Sequence, residues 1–199
     1  MSQSPFLIIG ATGTNGRSVV DSLEKKNIPV RALVRNRDAA RRVFSTSVEL
    51  VEGDLTQPES LRRAFSGVDK AFVVTAVQPN TVELFKNVYA AAREANVSQL
   101  VKFSGLGASA SSPSEIMREH GASDDLLRES GVPFTIIRPN SFHQNMLWQA
   151  QSVAQTDQFY LPLADAAQST IDVRDIADIV VNIMIEDGHV GKSYGSDRS

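Results

Sequence analysis

A glycine-rich turn close to the N-terminus constrains the fold of this chain more than any other feature of its sequence. The apolar run Phe6–Ile9 leads directly into glycines at positions 10, 13 and 16, and a helix-period segment follows. Gly10 permits a tight turn, Gly13 lets the backbone approach a pyrophosphate, and Gly16 lets the helix pack closely on the strand. The pattern predicts a dinucleotide-binding βα unit; the alternative is a purely structural glycine turn. The cofactor-binding residues predicted at this turn are Gly10, Thr12, Gly13, Thr14, Asn15 and Gly16.

Short apolar runs then alternate with amphipathic segments along the first 139 residues. Most of the runs lack polar alternation, which is typical of strands buried on both faces of a parallel sheet. The order predicts an α/β fold with a doubly wound parallel sheet, whose ligand crevice lies at the carboxyl ends of the strands. Strands are predicted at 6–9, 29–34, 48–51, 70–75, 100–103 and 134–138, and helices at about 14–26, 37–45, 58–66, 80–96 and 114–130.

The alternation weakens after residue 139, where helices are predicted over 142–154 and 173–186 and short strands over 168–172 and 192–194. The chain of 199 residues has no internal repeat and no low-complexity linker. This size suits one domain. We therefore expect a single domain over 1–199, in which residues from about 140 onward form a small substrate-side region.

Composition excludes several classes of function. The chain has no cysteine, only three scattered histidines and a formal net charge of −3. Disulfides and thiolate sites are therefore absent, and neither a metal site nor nucleic-acid binding is expected. No apolar run approaches the roughly 20 residues of a membrane span, and no basic segment marks a signal peptide. These features predict a soluble, cytoplasmic protein.

The residues at the end of the second predicted strand indicate which cofactor is preferred. Sites that prefer NAD place a carboxylate about 20 positions after the glycine turn, where it binds the adenosine ribose. Here Arg35 occupies that region, and no carboxylate occurs before Asp38. Arg35 suits a 2′-phosphate and Arg37 adds charge, although both also fit solvated arginines at a helix start. We predict NADP(H) in preference to NAD(H).

Several segments together resemble the NmrA-like, or atypical, branch of the short-chain dehydrogenase/reductase superfamily. They are residues 10–16, 32–36, 53–55, 126–145 and 169–178, so the resemblance covers essentially the whole chain. The most specific stretch is 129–142, which reads ESGVPFTIIRPNSF. The resemblance implies an NAD(P)-binding Rossmann fold and an oxidoreductase.

The resemblance also implies further cofactor-binding positions at the strand ends. Asp54 would accept a hydrogen bond from the adenine amino group with Leu55 beside it, although Asp54 equally fits a turn or a helix N-cap. The other implied positions are Thr75, Ala76 and Val77 on the adenosine and ribose side, Lys102 and Ser104 toward the nicotinamide, and Pro139, Asn140 and Phe142 beside the nicotinamide or the substrate.

The chain departs from the superfamily's catalytic pattern. Catalytic members carry Tyr-x-x-x-Lys on the helix after the fifth strand, whereas here His120 takes the tyrosine position and Asp124 the lysine position. His120 is the candidate catalytic residue, as a general acid near neutral pH. Asp124 would orient it or raise its pKa. The alternatives for His120 are a ribose contact or a polar helix position.

Family members also continue well past residues 191–194, and the continuation builds much of their substrate lobe. We therefore expect a reduced C-terminal substrate lobe and an open pocket, unless a protein partner or a second copy in a homodimer closes it.

Two functions follow from these features. The first is an NADPH-dependent reductase that transfers a hydride to a small electron-poor acceptor such as a quinone, carbonyl or imine, with NmrA-like quinone reductases as the family precedent. The second is a non-catalytic redox sensor of the NmrA type, which the missing Tyr–Lys pair and the short C-terminus favour. His120 and the region 140–145 favour the enzyme, which is the reading we prefer.

Overall fold

A computed structural model describes residues 4–76, 78, 80–159 and 169–195. Nine strands occur within these ranges: β1 (Phe6–Ile9), β2 (Val30–Val34), β3 (Glu49–Glu52), β4 (Lys70–Val73), β5 (Gln99–Phe103), β6 (Phe134–Ile137), β7 (Ser141–Phe142), β8 (Thr170–Ile171) and β9 (Ser193–Tyr194). The α-helices of the same ranges are α1 (Thr14–Lys25), α2 (Arg37–Arg41), α3 (Pro58–Phe65), α4 (Thr81–Glu94), α5 (Glu115–Glu129), α6 (Ala150–Thr156) and α7 (Val173–Ile185), with a 3-10 helix at His143–Gln149.

Seven strands form one parallel sheet in the order β3-β2-β1-β4-β5-β6-β9. The strand order reverses at β1, where Ile9 lies opposite Leu33 of β2 on one side and Val73 of β4 on the other. This is the doubly wound α/β fold that the alternation predicted, and its reversal point is where such sheets bind ligands.

Apolar side chains cover both faces of the sheet because successive residues of a strand point to opposite sides. In β1, Phe6 and Ile8 join a core built with α1 and α7, whereas Leu7 and Ile9 join a second core built with α3, α4 and α5. Each fully buried side chain of this size contributes roughly 1.5–3 kcal/mol relative to exposure. The strand ends that carry the candidate site are therefore fixed from both sides.

The C-terminal third agrees with its sequence-based prediction in part. The stretch 142–154 was predicted to be helical, and it is helical from His143 onward, as a 3-10 helix to Gln149 and as α6 from Ala150, whereas Phe142 lies in β7. Strand β7 was not predicted from the sequence. It pairs with β8, and the side chain of Gln144 accepts a hydrogen bond from the backbone N–H of Val173 at 3.1 Å. Of the strand predicted over 168–172, β8 is described and Gln168 lies outside the described residues.

The other boundaries differ by a few residues. Strand β4 ends at Val73, two residues earlier than predicted, and α2 ends at Arg41 in place of residue 45. Within the described ranges, no helix combines the length and apolarity that crossing a membrane requires. That residues from about 140 onward form a reduced substrate lobe stays a prediction.

Candidate functional site

The glycine turn joins β1 to α1 at the point where the strand order reverses. Gly10 has a φ of +81°, and a Cβ there would lie 2.0 Å from the carbonyl oxygen of Val74. A Cβ on Gly16 would lie 2.2 Å from the carbonyl oxygen of Gly10. Both glycines are therefore required by the chain's own backbone, as the sequence predicted.

Gly13 is different. Its φ of −78° and ψ of 167° suit any residue, and the nearest neighbour of a Cβ there would be the carbonyl oxygen of Gly10, at an ordinary contact distance of 3.4 Å. The chain's own packing therefore does not demand a glycine at this position, which lies exposed at the N-cap of α1 between exposed Thr12 and Thr14. Helix N-terminal N–H groups that face an open surface are a ready anion site.

Beyond this turn, an open cavity of about 340 Å³ lies at the carboxyl ends of β2 and β3. It is lined by Arg35, Glu52, Gly53, Asp54, Gln57 and Arg63. The predicted residues Arg35 and Asp54 thus lie at one site. Glu52 and Arg63 were not predicted from the sequence. Arg63 could have been found, because side chains on a helix point back toward its N-terminus and α3 begins just after β3.

Asp54 occupies the turn that follows β3. Its Oδ1 accepts hydrogen bonds from the backbone N–H of Thr56 at 2.7 Å and from the Thr56 hydroxyl at 2.6 Å. These bonds lower the pKa of Asp54, and nearby Arg35 adds to the effect. The turn role weighed from the sequence is therefore present, and the contact of Asp54 with adenine stays a prediction. The carbonyl oxygen of Leu55 accepts a hydrogen bond from the Asn87 side chain at 2.9 Å.

The segment after β4 lies next to the glycine turn. Its first residue, Val74, donates its N–H to the carbonyl oxygen of Ile9 at 3.1 Å. Thr75 is half-buried and Ala76 is exposed, which suits the predicted ribose side, while Val77 lies outside the described residues.

A buried cluster of charges lies at the carboxyl ends of β5 and β6. Lys102 Nζ lies 2.5 Å from Asp124 Oδ1, and both side chains are 0% exposed. The Ser104 hydroxyl donates to Asp124 Oδ2 at 2.9 Å, and Arg138 donates to the same oxygen from Nε at 3.1 Å and from Nη2 at 3.0 Å. Two cations therefore share the carboxylate of Asp124. Burial lowers the pKa of Lys102, and Asp124 acts in the opposite direction.

This cluster bears on two predictions. Lys102 and Ser104 were predicted to bind the cofactor toward its nicotinamide end. Both are buried with their side chains bound to Asp124, which holds the end of β5 against α5, and their contact with a cofactor stays a prediction. Asp124 was expected to orient His120, but its carboxylate oxygens bind Lys102, Ser104 and Arg138.

His120 lies on α5 above the end of β5. A Cβ built on Gly105 would lie 3.6 Å from His120 Cδ2 and 3.1 Å from the Met117 sulfur, so both side chains pack over this glycine. His120 Nδ1 is buried and has no hydrogen-bond partner among the residues the structure describes. Burial, followed by the charge of Lys102, lowers the pKa of His120 to about 4. Asp124 raises this pKa, as the sequence suggested, but burial and Lys102 together outweigh it.

The loop after β6 borders the same edge of the sheet. The carbonyl oxygen of Pro139 accepts the N–H of Leu106 at 3.0 Å, and the Asn140 side chain donates to the Ser169 hydroxyl at 2.9 Å. The Phe142 ring packs on Phe103 with centroids 5.9 Å apart. All three predicted residues are half-buried, and their contacts with a cofactor or substrate stay predictions.

Comparison with known proteins identifies the family. The model of the NAD(P)H-binding family matches residues 10–187, and this chain belongs to that family. NAD(P)H azoreductase from Xenophilus azovorans is 38% identical over 189 residues, covering 95% of this chain and 66% of the relative. The photosystem II assembly factor Ycf39 of Cyanophora paradoxa is 30% identical over 189 residues, covering 90% of this chain and 59% of the relative.

Among solved structures, the NADPH-dependent quinone oxidoreductase of Escherichia coli in complex with NADPH superposes with a TM-score of 0.85 at 27% identity, covering 95% of this chain and 68% of that one. The chain thus spans about two thirds, or less, of the curated relatives it matches. The resemblance to NmrA-like NAD(P)-binding Rossmann proteins is confirmed.

Proposed function

We propose that this protein binds NADPH and reduces a small electron-poor acceptor such as a quinone, carbonyl, imine or azo compound. The observation that carries the proposal is Gly13, an exposed glycine at a helix N-terminus that the chain's own packing does not require. A pyrophosphate that approaches the backbone explains it. The family match and the names of the azoreductase and quinone oxidoreductase relatives support the reaction class.

Each part of the site then has a distinct role. The N–H groups at the start of α1 bind the pyrophosphate, and Arg35 binds the 2′-phosphate, which favours NADPH over NADH. The buried cluster of Lys102, Asp124 and Arg138 fixes the strand ends at the reacting side. The nicotinamide, when bound, supplies the hydride.

His120 acts in this scheme as a neutral hydrogen-bond donor. An imidazolium would carry a proton on Nδ1, which is buried without an acceptor in the described part of the chain, and an unsatisfied buried N–H costs about 1–3 kcal/mol. His120 therefore stays neutral, with its proton on Nε2. That N–H orients an acceptor oxygen or nitrogen or the cofactor ribose. Two electrons and one proton arrive with the hydride, and the second proton comes from water.

The test is an anaerobic assay of NADPH oxidation against quinones, azo dyes, carbonyls and imines. We expect acceptor-dependent oxidation with at least one class and none in Gly13→Val, which lacks the pyrophosphate site. Tight NADPH binding without turnover on any class would contradict the enzyme.

A nucleotide-responsive regulatory protein is the second candidate. The absence of a Tyr-x-x-x-Lys pair favours it, as does the assembly-factor name of the Ycf39 relative. It predicts that NADPH and NADP⁺ bind with different affinities and alter a contact with another protein, with no turnover. The assay above separates the two.

A further inference from the structure

Two arginines from different elements line the cavity at the ends of β2 and β3. Arg35 follows β2, and Arg63 lies on α3. Both are exposed, and neither guanidinium donates a hydrogen bond within the described part of the chain. The adjacent Arg62 behaves differently, because it pairs with Glu59 and with Glu94, the latter at 2.8 Å. Arg63 is thus a cation that faces an open cavity and is available to bind an anionic ligand.

We propose that Arg63 is a second binding group for the 2′-phosphate of NADP(H), so that the phosphate lies between Arg35 and Arg63. The inference rests on the proposed function, since it assigns a specificity residue of the same cofactor site. Arginine suits the role because its planar fork donates paired hydrogen bonds to phosphate oxygens.

The local structure holds Arg63 in the required direction. Leu61, Ala64 and Phe65 are fully buried, which fixes the rotation of α3 and turns position 63 outward. The Ser60 hydroxyl donates to the Asp54 carbonyl oxygen at 2.9 Å and accepts the Asp54 N–H at 3.0 Å. These bonds attach the start of α3 to the end of β3. The long side chain at position 63 then points back toward the helix N-terminus and the cavity.

The balance of charges around the cavity determines how strongly Arg63 would affect the preference between NADPH and NADH. Glu52 and Asp54 also line it, so the two guanidinium groups balance two carboxylates. Without Arg63 the lining would be net negative and would repel a 2′-phosphate, while a carboxylate would still accept hydrogen bonds from the 2′-hydroxyl of NADH. Arg63 and Glu52 therefore set the cofactor preference in opposite directions.

The experiment is calorimetric titration of NADPH and NADH into the wild type, Arg63→Ala, Glu52→Gln and the matched control Arg62→Ala. We expect Arg63→Ala to weaken NADPH binding about 10- to 100-fold and to change NADH binding by less than about threefold. Glu52→Gln should raise the preference for NADPH, and Arg62→Ala should leave both affinities unchanged. Adenosine 2′,5′-bisphosphate compared with AMP should reproduce the loss without the nicotinamide half.

The other possible results distinguish failure of the role of Arg63 from failure of the proposed function. Equal losses of NADPH and NADH in Arg63→Ala, or no loss of either, would overturn the role of Arg63 while leaving NADPH binding by the wild type intact. A wild type that binds neither dinucleotide would overturn the proposed function itself. Thermal unfolding of each variant reports whether the fold is preserved.

Discussion

At the proposed adenosine end of the candidate site, Arg35 and Arg63 lie exposed beside an open cavity, whereas at the proposed nicotinamide end Lys102 and Arg138 are turned inward onto Asp124. Exposed guanidinium groups remain available to a ligand, and their contribution to folding is small. Buried and paired cations contribute to the stability of the fold, because removing their partner leaves a buried charge that neither solvent nor a carboxylate compensates. The comparison teaches that cationic side chains of the same type are left accessible to a ligand at one end and hold the fold together at the other.

The largest expected effect tests the buried end. Asp124→Ala leaves Lys102 and Arg138 without their carboxylate, and breaking a buried pair in this way costs about 3–5 kcal/mol. The free energy of unfolding from urea denaturation measures it. The neighbouring Asp125→Ala is the matched control, since Asp125 forms an exposed pair with Arg128 and should cost less than about 1 kcal/mol. Similar losses in the two variants would erase the distinction between the two ends.

The next effect tests the pyrophosphate position. Gly13→Val should weaken binding of both NADPH and NADH by at least about 100-fold, because the side chain would occupy the closest backbone approach. Its far-UV circular dichroism should stay native, since the φ and ψ of Gly13 suit valine. Gly16→Val, with its 2.2 Å clash, should instead lose stability. Binding by Gly13→Val as tight as that of the wild type would make the turn merely structural.

A smaller effect tests the exposed end. Arg35→Ala should weaken NADPH binding by about 1.5–3 kcal/mol, roughly 10- to 150-fold, because a charge-assisted bond to phosphate is lost. NADH, which lacks the 2′-phosphate, serves as the internal control in calorimetric titration. Tighter binding of NADH than NADPH by the wild type would contradict the assignment.

The smallest effect concerns His120. With its pKa lowered to about 4, this histidine should stay neutral across the neutral range, so the rate should show no histidine limb between about pH 5.5 and 8. His120→Phe should slow turnover by no more than about tenfold, the loss of one hydrogen bond. A loss of 10²- to 10⁴-fold with a limb near pH 6.5 would restore the general acid that the sequence suggested.

The same histidine also links stability to pH. Between about pH 6.5 and pH 4 the unfolded chain protonates this side chain and the folded chain does not, so its contribution to stability falls as the solution is acidified. NMR titration can follow it directly, because the chain contains only three histidines. A His120 that titrates above 6.5 would contradict the burial argument.

The sequence by itself determined the sheet, the glycine turn and the arginine after β2. Those features are local: apolar runs of strand length, glycines at fixed spacing and the residue type at a strand end are visible without knowing what lies nearby. At Gly10 and Gly16 a side chain would collide with the backbone, as the spacing of the glycines predicted.

Only the tertiary structure revealed the buried cluster around Asp124 and placed Arg63 beside the same cavity as Arg35. Lys102 lies on β5, Asp124 on α5 and Arg138 directly after β6, and no spacing along the chain shows that they meet. The position of Asp124 one turn after His120 suggested a raised pKa, whereas burial and Lys102 lower it. Strand β7 and its pairing with β8 were likewise not predicted from the sequence. Burial and long-range pairing set both the energy of a charge and the identity of its partner, and both depend on distances in space that the order of residues does not contain.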